Sequence, residues 1–165
     1  MENIKILHLS WKEYSYEEAF NLNDKDHYGI YQVYGDHPVY GRDSLIYIGK
    51  AFWQTFGKRF NTHHDFFASN IRFTKVCVGR LCKSEDSNKK NWESNINLIE
   101  TILIISHYPA YNANGIKGLL ESKDIGNVLI LNWGEYGDLL PEISSLRWSN
   151  KYWEDNNDPE NHILK

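Results

Sequence analysis

Residues 91 to 107, NWESNINLIETILIISH, constrain this chain more than any other stretch. The second half of the run is apolar on almost every side, and a helix with no polar face has to lie against the rest of the protein on several sides. The segment therefore predicts a central helix. It should stop before Pro109, because the residue preceding a proline leaves the helical region. One charge interrupts it: Glu100, which on a helix shares a face with Ile96, Leu103 and His107. A carboxylate among such neighbours is costly unless it is ion-paired or bound to a cation. Arg59 is the candidate for an ion pair, and a hard divalent ion with oxygen ligands and waters would serve equally well.

Other segments supply partners for this helix. Residues 28 to 34 (YGIYQVY) and 45 to 49 (LIYIG) alternate with period two and are rich in β-branched and aromatic side chains, which predicts two strands. The intervening GDHPVYGRDS carries Gly35, Pro38 and Gly41, so an antiparallel hairpin with a long, decorated turn is expected. A helix is predicted over 51 to 67, with Phe52, Phe56, Phe60 and Phe67 on one stripe and Arg59 and His63 on that same stripe. Residues 71 to 81 read as a third strand, 127 to 133 (NVLILNW) as a further buried strand, and 137 to about 153 as containing a helix. The expected fold class is α/β (α+β), a small, mostly antiparallel sheet of about three strands flanked by helices, with an additional C-terminal strand and helix. At 165 residues one domain is the default, with a core at about 28 to 115 and additions at 1 to 27 and 116 to 165.

Composition narrows the function classes. Aromatic residues at 15% and charged residues at 24% suit a packed interior and not a disordered chain. No run approaches the roughly 18 apolar residues of a membrane span, and MENIKILHLSWKEY lacks the basic start and apolar core of a signal peptide. A cytoplasmic protein without a membrane partner is expected. Cys77 and Cys82 fit neither a redox pair nor a zinc site, and both are expected to be buried thiols. The net charge of -4 argues against a chain that coats nucleic acid by bulk charge, but its distribution is uneven. Between 42 and 90, ten lysines and arginines face four acids, whereas the rest carries eight against eighteen. Such a basic segment can focus a polyanion onto one face, or it can be an ordinary solvated surface.

The residues that carry chemistry follow a fixed order: Gly29-Ile30-Tyr31, Tyr47-Ile48-Gly49, Arg59 and His63 one helical turn apart, Glu100, then Pro109 and Asn112. This order resembles the GIY-YIG nuclease family over residues 28 to about 115. The triplets alone are weak evidence, since a hairpin with aromatic cross-strand pairs explains them as well. Alternation nevertheless lets the two phenols converge, and Gly49 leaves room for a phosphate or a backbone to come close. The planar fork of Arg59 suits phosphate oxygens and the charge that develops during phosphodiester cleavage.

The resemblance implies a GIY-YIG nuclease fold and a one-metal endonuclease that hydrolyses DNA. Glu100 would hold Mg2+ or Mn2+, Arg59 would stabilise charge, and Tyr31 would take the proton from water. Tyr47 would orient the phosphate or water, His63 would tune the phenol, and Asn112 would help hold the site together. Gly49, Lys50, Arg42 and Lys58 are candidates for substrate contact, although alternation turns Lys50 away from Tyr47 and Gly49. An ordinary phenol with a pKa of about 10 is a poor base at neutral pH, so His63 is the alternative base, with the tyrosines as positioners. Target choice would come from the short additions, the 35 to 44 turn, a homodimer or a partner protein. A restriction-like dimer, a repair, mobile-element or phage-defence nickase, and a nuclease for single-stranded or branched DNA all fit. The reading from another class is a catalytically silent or partner-gated module that binds nucleic acid or protein.

Overall fold

The computed structural model describes residues 4–67, 72–82, 89–112 and 125–146, with the side chains of 63–67 and 89 outside that description. Strand β1 (Lys5–Ser15) leads into a short helix α1 (Tyr16–Ala19), followed by β2 (Gly29–His37), β3 (Gly41–Ala51), α2 (Phe56–Phe67) and β4 (Phe73–Leu81). Helix α3 (Lys89–His107), a 3-10 turn (Ala110–Asn112), β5 (Val128–Gly134) and β6 (Glu142–Ser144) complete the described chain. The strands form one mixed sheet in the order β3-β2-β4-β1-β5-β6.

This corrects the expected fold class. The sheet has six strands where about three were expected, it curls into a half-barrel, and helices are the minor component. The largest difference is β1, which lies in the middle of the sheet, antiparallel to β4 and parallel to β5. Its sequence carries a strand signal: Leu7, Leu9 and Trp11 are buried while Ile6, His8 and Ser10, which alternate with them, are exposed, the period of a half-covered strand. The strand ends at Ser15, whose hydroxyl accepts from the Glu18 backbone N–H while the Glu18 carboxylate accepts from the Ser15 N–H. That reciprocal cap starts α1.

Three further expectations change. The 35 to 44 turn is mostly strand: the hairpin narrows to residues 38–40, with irregular register at Val33/Tyr34 and Gly35/His37. Helix α2 begins at Phe56 and not at 51, and Phe52 packs against the core on the opposite side of the sheet from Phe56 and Phe60. In place of the expected helix from Gly137, the chain turns and forms β6, and residues from 147 onward lie outside the described ones.

The sheet carries a hydrophobic cluster on each face. On one, Leu7, Leu9, Trp11, Ile30 and Ile48 pack with α3 residues such as Ile99 and Leu103. On the other, Tyr31, Val33, Val76 and Val78 pack under α1 and α2. Helix α3 thus occupies the central position that its apolar circumference demands. It ends where Pro109 predicts, with Tyr108 at a φ of 48°. Cys77 is buried, but Cys82 is exposed, because β4 ends one residue before it.

Candidate active site

Register brings the two predicted tyrosines together. Tyr31 pairs with Gly49 and Val33 with Tyr47, so Tyr31, Tyr47 and Gly49 share the face that α2 covers. The rings of Tyr31 and Tyr47 lie 6.0 Å apart between centroids and converge over Gly49. A Cβ on Gly49 would stand 2.6 Å from Cζ and Oη of Tyr31 and from Cε1 of Tyr47. The space that the sequence left open for a close approach is filled by the two phenols. Tyr31 is fully buried and meets the edges of Phe60 and Phe56, with centroids at 4.9 and 6.3 Å.

Helix α2 sets Arg59 one residue before Phe60, beside these rings. Among the described residues the Tyr31 hydroxyl and the Arg59 Nε are the buried side-chain polar atoms that make no hydrogen bond of good geometry, although the Arg59 guanidinium and the Tyr47 hydroxyl lie near enough to the Tyr31 hydroxyl to interact with it as polar neighbours. Arg59 also has no salt bridge among them. A buried donor left without an acceptor costs about 1–3 kcal/mol, and a group that brings acceptors would satisfy both atoms. Arg59 and Tyr47 are each only partly buried, which connects this pair to solvent. Burial raises the Tyr31 pKa well above that of an ordinary phenol, and the neighbouring Tyr47 adds to this while Arg59 opposes it. Burial raises Tyr47 too, reinforced by the charge of Glu100 and opposed by Arg59.

Glu100 reaches this group from the other side of edge strand β3. Its partner is Lys50 and not Arg59: Lys50 Nζ and Glu100 Oε2 are 2.5 Å apart, with side chains 26% and 17% exposed. Alternation explains the choice, because Ile48 and Lys50 point to the α3 face of β3 while Gly49 points to the α2 face. Among the described residues no three His, Cys, Asp or Glu side chains form a ready metal cage. A single carboxylate nevertheless suits Mg2+, which commonly takes one or two carboxylates and completes its shell with waters and substrate phosphate oxygens. The Lys50 ammonium already marks the Glu100 carboxylate as a seat for a cation.

Asn112 does more than the turn chemistry of its loop requires. Its Oδ1 accepts from the Ile48 N–H at 2.8 Å and its Nδ2 donates to the Ile48 carbonyl at 2.9 Å. Because β3 is an edge strand, the carboxamide takes the place of a neighbouring strand and fixes the backbone between Tyr47 and Gly49. The remaining predicted residues are less central. His63 lies on α2, but its side chain is outside the described ones. Lys58 is exposed on α2, and Arg42 is exposed beside the hairpin turn. Eight residues of strand separate Arg42 from Lys50, about 26 Å at the usual rise of about 3.3 Å per residue, so Arg42 does not join the site.

Compared with protein-family models, curated proteins and solved structures, the chain matches none of them. Among the described residues no helix is long and apolar enough to cross a membrane.

Proposed function

We propose that this protein is a metal-dependent nuclease that hydrolyses phosphodiester bonds in DNA. The observation that carries the reading is the pair of buried donors without acceptors, Tyr31 Oη and Arg59 Nε, beside Tyr47 and within the field of Glu100. A phosphodiester supplies what they lack: anionic oxygens that accept several hydrogen bonds at once. Arg59 holds a phosphate oxygen and opposes the charge that builds on it. Tyr47 orients the phosphate at the entrance, Tyr31 donates from behind, and Asn112 keeps β3 in register so that both rings stay over Gly49. Glu100 is the residue that would hold Mg2+ or Mn2+, and the ion, when bound, would offset charge on the leaving oxygen.

The raised Tyr31 favours the second assignment of the base. A phenol held protonated by burial is a hydrogen-bond donor, and the proton of the attacking water then goes to His63, one turn beyond Arg59 on α2. The test incubates the purified chain with supercoiled, linear and single-stranded DNA, in Mg2+ and in chelator. Cleavage that needs the metal and falls at least about 100-fold in Arg59→Ala and Glu100→Gln is expected. Metal-independent cleavage, or none on any substrate, refutes the nuclease reading. Rate against pH in Tyr31→Phe and His63→Ala separates the bases: loss of the acidic limb only in His63→Ala supports His63.

A further inference from the structure

The sheet face that carries Tyr31 and Tyr47 is roofed by α1 and α2 over β2, β3, β4 and the C-terminal end of β1, where Tyr14 packs against the cluster. Over the rest of β1 and over β5 it is open among the described residues. Leu7, Leu9 and Trp11 point into the opposite core, so Ile6, His8, Ser10 and Lys12 point outward. Parallel pairing sets Ile6 beside Leu129, His8 beside Leu131 and Ser10 beside Trp133. Ile6 is 52% and Trp133 54% exposed, large apolar groups that a covered sheet would bury. One row of the ladder joins this surface to the candidate site: Lys12 pairs with Val78 on β4, and Val78, buried beneath the helices, pairs with Tyr31.

Two rings at its centre form one flat plate. Trp133 Nε1 donates to His8 Nδ1 at 3.1 Å, with ring planes inclined by 12° and centroids 6.1 Å apart. An aromatic N–H lies in the plane of its ring, as does the lone pair that accepts it. Nearly parallel rings joined by such a bond must therefore lie side by side, not one above the other. The plate is flanked by cations. Arg80 is paired with Ser10 across the β1–β4 ladder and has no ion pair among the described residues, and Lys12 lies over the Tyr14 ring at 5.1 Å. The strand residues of this face carry one acid, Glu142 at the β6 edge. Lys12 and Arg80 outnumber it on these strands, a small positive excess in a chain of net charge -4, with Glu135 just beyond β5.

We propose that the His8–Trp133 plate is a stacking site for an unpaired base, and that the open half of this face receives single-stranded nucleic acid beside the covered half that holds Tyr31 and Tyr47. The proposal deepens, and rests on, the nucleic-acid reading of that site. A flat aromatic surface backed by cations takes the exposed π-face of a base, whereas a duplex keeps those faces inside its own stack. The test is fluorescence anisotropy of the full chain in chelator, with labelled oligothymidylate and with the same strand annealed to its complement. The single strand should bind more tightly, Trp133→Ala should weaken it by about 5- to 150-fold, and Trp133→Phe should keep most of the affinity. Arg80→Ala should flatten the salt dependence. Trp133 is half-exposed, so circular dichroism of Trp133→Ala should match the wild type. Preference for duplex, no binding, or equal binding by Trp133→Ala overturns the proposal. So does concentration-dependent self-association that Trp133→Ala abolishes, which would assign the plate to a second copy of this chain. Metal-dependent cleavage lost in Glu100→Gln is scored separately, so that the nuclease reading stands or falls apart from this one.

Discussion

Placing a methyl group on Gly49 tests the geometry of the candidate site directly. The Cβ of Gly49→Ala would lie 2.6 Å from one ring carbon and the hydroxyl oxygen of Tyr31 and from one ring carbon of Tyr47. Ordinary carbon contacts lie at about 3.5–4.0 Å, so roughly 1 Å of overlap has to be relieved. Tyr31 is fully buried against Phe56 and Phe60 and cannot move without disturbing them. Overpacking of this kind costs about 1–3 kcal/mol. For a chain of 165 residues that is a fall in Tm of roughly 2–12 °C. Urea unfolding followed by tryptophan fluorescence, together with thermal unfolding, gives the number. Repeating the substitution in a Tyr31→Leu background isolates the contact, since the Gly49→Ala penalty should shrink by about 1 kcal/mol or more once the ring is gone. Cleavage should drop further than stability accounts for, because the two phenols are splayed. A Gly49→Ala protein within about 0.5 kcal/mol of wild type and fully active would refute the convergence of the rings over this glycine.

Asn112→Ala should cost about 1–3 kcal/mol in urea unfolding, because it strands both backbone polar groups of Ile48, whereas Asn112→Asp keeps only the acceptor half. Faster hydrogen exchange at the Ile48 amide is the local readout, and unchanged protection there would sink the bridging role. Lys50→Met leaves the Glu100 carboxylate without its cation and should lower Tm, with Mg2+ restoring more stability than it adds to the wild type; equal Mg2+ responses would refute a shared cation seat. His107 supplies a pH dependence. Its Nδ1 donates to the Leu103 carbonyl and its Nε2 accepts from the Leu140 N–H, so the folded protein holds the neutral ring, and burial lowers its pKa. The unfolded chain therefore binds the proton first as pH falls. Stability should be intact above the ordinary histidine value near 6.5 and decline below it, and His107→Gln should remove that part of the decline in urea midpoints measured from pH 7.5 to 5.

Local patterns in the sequence were enough for the elements whose neighbours did not matter. The apolar circumference of residues 91 to 107 fixed a central helix ending before Pro109, and period-two alternation fixed the β2–β3 hairpin with Tyr31 and Tyr47 on one face. Alternation also turned Lys50 away from that face. The alternation of Leu7, Leu9 and Trp11 was equally present, but alternation alone says nothing of a strand's partners. Only the long-range pairing of β1 with β4 and β5 made it the centre of a six-stranded sheet. Pairing likewise decided that the 35 to 44 stretch is ladder and not loop, and that the chain beyond Gly137 forms an edge strand. At the site, the sequence named Glu100 as a carboxylate in need of a cation, while the tertiary structure chose Lys50 as that cation and left Arg59 Nε and Tyr31 Oη without acceptors. Such choices depend on which strands lie side by side and which faces the helices cover, and the free energies that decide them come from contacts between residues far apart in the chain.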